Sequence, residues 1–68
     1  MKTGTIVKIS QVGLDHLYPV HDSLRKKAEG KRFKYCGVDR NDLDVVRVKR
    51  LTSDSYLFYH ETFIEPAN

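Results

Sequence analysis

Between residues 31 and 59, apolar and polar residues alternate with a two-residue period in three successive runs, and clusters of turn formers separate the runs. This pattern commits the chain to antiparallel strands, because a period of two sends alternate side chains inward and outward, which a helix of 3.6 residues per turn cannot do. In residues 31–38, Phe33 and Tyr35 fall on one side and Lys34, Cys36 and Val38 on the other. Asp39-Arg40-Asn41-Asp42 is made of turn formers, and residues 43–51 resume a strand centred on Val45, Val46 and Val48. The two runs predict a hairpin turning near Asn41. Thr52-Ser53-Asp54-Ser55 is a second turn, Tyr56-Leu57-Phe58-Tyr59 a third strand, and Phe63-Ile64 a short closing strand before Pro66.

Ahead of this meander, Gly4-Thr5-Ile6-Val7-Lys8-Ile9-Ser10 is rich in β-branched residues and predicts a first strand with one inward face. Residues 11–20 have no consistent period and are punctuated by Gly13 and Pro19, which predicts a long irregular loop with Leu14, Leu17 and Tyr18 as core plugs. Asp22 or Ser23 can cap a short helix through Leu24, Arg25, Lys26, Lys27 and Ala28, with Gly30 where a left-handed residue ends helices. At two turns this helix is below the roughly 12 residues at which an isolated helix becomes marginal, so packing must hold it. The expected fold is mainly β: a small five-stranded antiparallel barrel whose long first loop carries one helical turn.

A chain of 68 residues is one domain, residues 1–68, with a thin core. Its single cysteine, Cys36, excludes an internal disulfide and fits a reducing compartment. Cys36 itself is expected to be a small buried residue and chemically inert, since nothing beside it supplies a base. No run approaches the roughly 20 apolar residues of a membrane helix, and Met1-Lys2-Thr3-Gly4 leads into a strand rather than a signal-peptide core, so a soluble cytoplasmic protein is expected.

The order of Gly4-Thr5-Ile6-Val7-Lys8-Ile9, a long loop, Gly30-Lys31-Arg32-Phe33 through Gly37-Val38-Asp39, Val45-Val46-Arg47-Val48, Tyr56-Leu57-Phe58 and a terminal Glu61-Thr62-Phe63-Ile64-Glu65 resembles a Src-homology-3-like barrel. It is similar to the KOW-type and small prokaryotic or phage versions, with their "G-x-x-V-x-V" opening strand and closing "E-x-L-E" segment. Chains of this size and style also look like bacteriophage accessory proteins. The insertion between Gln11 and Glu29 departs from a compact KOW motif. Barrels of this type hold many unrelated functions, so the fold alone does not choose one.

Chemistry-bearing residues are sparse. His16, His21, His60 and Cys36 are zinc-ligand types, but they lack ligand spacing and any Cys-x-x-Cys knuckle, so solvated or capping histidines are expected and no metal. Gly4, Gly13, Gly30 and Gly37 are scattered, and none precedes the Lys-Ser/Thr of a phosphate loop. Asp39, Asp42 and Asp44 lack the spacing and terminal glutamate of a calcium loop and read as a solvated hairpin tip, with a basic partner as the alternative. No cofactor and no catalytic residue is assigned.

Charge distribution says more. Net charge is only +3, yet six of the twelve Lys/Arg residues, Arg25, Lys26, Lys27, Lys31, Arg32 and Lys34, fall within ten positions opposed by Glu29 alone. Joined across the sheet by Arg47, Lys49 and Arg50, they would form one positive patch for nucleic-acid phosphates. Tyr35, Tyr56, Phe58 and Tyr59 stack bases if they face out, and of these Tyr35, Tyr56 and Tyr59 stand as the stacking candidates. The expected function is non-catalytic binding of DNA, RNA or a nucleic-acid-processing complex. The alternative is a protein-interaction module, an adaptor or inhibitor docking on a partner or host enzyme. Charge segregation separates the two: a nucleic-acid binder keeps its acidic tip away from its basic face.

Overall fold

The computed structural model describes residues 1–67. Strand β1 (Ile6–Ile9) turns Val7 and Ile9 inward, and β2 (Phe33–Val38) does the same with Phe33 and Tyr35. Strand β3 (Val45–Arg50) buries Val46 and Val48, while β4 (Tyr56–His60) half-buries Leu57 and Tyr59. A single 3₁₀ turn (Glu61–Phe63) then leads to β5 (Ile64–Pro66), which contributes Ile64. The strands form one five-stranded antiparallel sheet in the order β4-β3-β2-β1-β5. The sheet is not closed, and β4 and β5 are its edges.

Two helices cover the inward face. α1 (Gln11–Leu17) contributes Leu14 and α2 (Ser23–Gly30) contributes Ala28 to the cluster built by the strands. Residues 11–17 are therefore helix and not the irregular loop that the missing period suggested. The helix is set by its first turn: Ser10 lies extended, its Oγ accepts the Gly13 N–H at 3.2 Å, and the same hydroxyl donates to the Thr62 carbonyl at 2.6 Å. One residue thus caps α1 and ties it to the far end of the chain. Because α1 buries only Gly13 and Leu14, it carries no apolar stripe from which to be read.

α2 is capped by Asp22, whose Oδ1 accepts the Arg25 N–H at 3.1 Å. Gly30 closes it as an ordinary helical residue, not the left-handed cap expected: the chain leaves through extended Lys31, whose N–H donates to the Ala28 carbonyl at 3.1 Å. Left-handed freedom is needed instead at Gly4, at φ 96°, and at Gly37, at φ 108°, where a bulge shifts the β2–β3 register between Tyr35 and Val38. Cys36 sits on this bulge and is half-buried rather than buried, with its Sγ 3.5 Å from the Lys34 carbonyl. Phe63 belongs to the 3₁₀ turn rather than the closing strand. Among the described residues no helix is long and apolar enough to cross a membrane.

Candidate functional site

The basic run divides into three places. Arg25 is removed from the surface altogether: it is 3% exposed, its Nη2 lies 2.7 Å from Asp15 Oδ1, and its Nη1 donates to the Tyr18 carbonyl at 2.9 Å. Glu29 stands 3.7 Å from its Nε. A buried, neutralised guanidinium cannot meet a phosphate, so Arg25 is a structural clamp between α1 and α2, not part of a patch. Lys26 and Lys27 are exposed on α2, whose inward residues are Arg25 and Ala28, and so point away from the sheet.

The remaining cations gather at the open end of the β2–β3 hairpin. Lys34 is the direct cross-strand partner of Lys49, and the next pair is Phe33 with Arg50. Lys31, Arg32 and Arg50 line one surface depression of about 300 Å³ together with Gly30, Phe33, Leu51 and Thr52, and no acidic residue lines it. The acidic turn containing Asp39, Asp42 and Asp44 is at the other end of the same hairpin, about 17–20 Å away along six-residue strands. The basic end thus has a depression whose charged lining residues are all cations, whereas the tip carries its aspartates together with Arg40 and Arg47. At the basic end, Asp54 Oδ1 lies 3.2 Å from Lys49 Nζ. Arg47 sits nearer the tip, where it lines a second depression with Asp39, Arg40 and Phe58.

The aromatic candidates also divide. Tyr35 is 9% exposed and packs in the core, so it presents no ring to a ligand. Tyr59 is half-buried on the inward face, 6.1 Å from Phe33 between ring centroids, and burial pushes its phenol above the ordinary value. Tyr56 does face out at 49% exposure, with the Arg47 guanidinium 5.1 Å from its ring centroid. Phe58, outside the three stacking candidates, is more exposed still at 58%. The two-residue period identifies it: residues 56 and 59 cannot share a strand face, whereas 56 and 58 must.

Elsewhere the polar groups serve the fold. His16 lies against Phe63 at 4.9 Å, and His60 Nδ1 is 2.8 Å from Thr62 Oγ1. The Asp42 carboxylate accepts the Asp44 N–H at 3.0 Å within its turn. Among the described residues no three His, Cys, Asp or Glu side chains are grouped to hold a metal ion. No known protein family, curated protein or solved structure shows a significant match to the chain.

The Arg25 hydrogen bond, the largest influence on Asp15, holds its carboxyl below the ordinary carboxylate value against a smaller opposing effect of burial. A lowered folded-state pKa stabilises the fold above the unfolded value, near pH 4, and that contribution disappears as pH falls through the folded value. Urea midpoints measured from pH 6 down to pH 2 should therefore fall less steeply for Asp15→Asn than for the wild type. Identical slopes would show that Asp15 contributes nothing to acid sensitivity.

Proposed function

We propose that the chain is a non-catalytic module that binds nucleic acid, or a nucleic-acid-processing complex, through the basic end of the β2–β3 hairpin. The observation that carries this reading is the Lys34–Lys49 pair. Elsewhere in the sheet Lys8 faces Glu65, an opposite-charge pair of the ordinary kind. Two lysines placed directly opposite repel one another, at a cost on the scale of the roughly 0.2–1 kcal/mol that cross-strand pairs carry; the fully exposed Asp54 beside Lys49 offsets part of it, and a bound external anion would offset the rest. Lys31, Arg32 and Arg50, with no acid lining their depression, extend the same positive field around the strand ends.

We propose further that the open sheet curls into a partly closed, Src-homology-3-like barrel. Five strands spaced about 4.8 Å apart would span about 19 Å from edge to edge if flat. The edges β4 and β5 are joined by only the three residues Glu61–Phe63, and a 3₁₀ turn advances about 2 Å per residue. Such a link supports strong curling, because it holds the two edges close at one end. It also leaves the exposed outer face convex and accessible.

The test uses opposite signs for stability and binding. Lys34→Thr removes the repulsion and adds a β-branched residue, so it should raise stability by up to about 0.5–1 kcal/mol in urea. The same change should weaken binding to every oligonucleotide sequence alike, since phosphate contacts carry no base information. The slope of log affinity against log salt should shrink by about 0.7 on single strands or about 0.9 on duplex. A wild-type protein that binds no nucleic acid near 50 mM salt would remove this reading.

One observation favours the second reading, a protein-docking module. The depression at the hairpin tip, about 300 Å³, mixes Asp39 with Arg40 and Arg47 and adds the apolar Val38 and Phe58. Both signs beside exposed apolar side chains suit a protein partner better than a polyanion. Loss of a captured partner on Asp39→Lys, with capture unaffected by nuclease treatment, would support it.

A further inference from the structure

We infer that the nucleic acid taken by this protein is single-stranded, its bases stacking on Tyr56 and Phe58 while its phosphates lie along Lys34, Lys49 and Arg47. The inference rests on the nucleic-acid reading above and deepens it. On the outward side of the β3–β4 pair, a cation stands opposite an aromatic ring twice in succession: Lys49 faces Tyr56, and Arg47 faces Phe58. The Arg47 guanidinium, 5.1 Å from the Tyr56 ring centroid, also links the two rows diagonally. Lys34 extends the first row onto β2, giving Tyr56, Lys49 and Lys34 side by side.

Rings and cations therefore recur every two residues, about 6.7 Å along the strand. A duplex cannot use the rings, because its bases are already stacked on one another and it offers a protein its phosphates and groove edges. An unpaired strand can: each base presents a face to a ring and each phosphate a charge to the neighbouring cation. Access is open as well, since both rings are carried by the edge strand β4, beyond which no sixth strand pairs among the described residues. Asp39, which lines the same tip depression as Phe58, limits the run beyond that ring, so the footprint is short, one base on each ring.

The test is fluorescence anisotropy with a mixed-sequence oligonucleotide as single-stranded DNA, as single-stranded RNA and as the DNA duplex, near 50 mM salt. The single strand, in either sugar chemistry, should bind at least about tenfold more tightly than the duplex, with the tighter of the two identifying the natural sugar. Tyr56→Thr and Phe58→Thr keep strand propensity and remove the ring. Each should lower single-strand affinity roughly 5- to 150-fold, the range of one stacked base, and leave duplex affinity and the salt slope unchanged. Phe58→Tyr keeps a ring and should retain affinity. Duplex binding as tight as single-strand binding would overturn the inference while leaving the nucleic-acid reading intact, and so would ring-less variants that bind like the wild type. No binding to any of the three would remove the broader reading instead. Circular dichroism of the Thr variants, expected to match the wild type, separates a lost ring from a lost fold.

Discussion

Gly13→Ala is expected to destabilise the protein by about 1–3 kcal/mol, although alanine is the better helix former by about 0.8–1 kcal/mol. A Cβ at this position would stand 2.8 Å from Ile9 Cγ2, 2.8 Å from the Phe63 carbonyl oxygen and 2.9 Å from Phe63 Cβ. The Phe63 oxygen cannot easily yield, because it accepts the Ser10 N–H at 2.7 Å and so ties the 3₁₀ turn to the start of α1. Relief of the clash must either break that bond or push α1 off the sheet. Chains of this size rarely hold more than about 3–5 kcal/mol in total, so a loss of this order would leave a substantial unfolded fraction at ambient temperature. Urea unfolding measures it directly. An alanine variant more stable than the wild type would mean that helix propensity wins and that α1 is not packed this closely.

Arg25→Ala should be costlier, at about 2–4 kcal/mol. It empties the space of a side chain that is 3% exposed, deprives the Tyr18 carbonyl of its donor and strands Asp15 without its cation. Arg25→Met separates these causes. Its flexible chain refills the volume, and exchange of a buried charge for an apolar side chain of similar size is often close to neutral, so about 1–2 kcal/mol should remain for the unpaired carbonyl. An alanine variant within about 0.5 kcal/mol of the wild type would place Arg25 among ordinary surface residues. Because Arg25 stands away from the proposed binding face, Arg25→Met should also bind oligonucleotides as the wild type does.

Arg25 illustrates why site reading from sequence went partly astray. Six cations within ten positions look like one feature along the chain, but a helix of 3.6 residues per turn followed by a strand of period two distributes them over different faces. Residues 25 and 28 share one helix side, and Ala28 is a core residue, so Arg25 had to turn inward once Ala28 did. That spacing was legible. The carboxylate that makes a buried guanidinium tolerable was not, because Asp15 approaches from α1, ten residues away, through a helix that left no periodic trace. The tyrosines show the reverse. Strand parity alone assigns Tyr35 to the same side as Phe33 and puts Tyr56 and Phe58 together, so their fates were available from period two. Which side was inward required the rest of the core.

The sequence by itself determined the strands and their turns. Alternation in residues 31–59 and the turn formers at 39–42 and 52–55 act locally, through backbone preference and the burial of every second side chain, and they give β2, β3 and β4 close to their observed limits. Only the tertiary structure decided α1, the inward turn of Arg25, and the pairing of β5 with β1 that places Ile64 beside Ile9. It also brought Lys34 and Lys49 face to face by fixing the β2–β3 register through a bulge at Gly37. These outcomes depend on contacts between residues 10 to 59 positions apart, such as Ser10 with Thr62, Gly13 with Phe63 and Val7 with Pro66. No local propensity encodes them, because their free energy exists only once the chain has closed around its core.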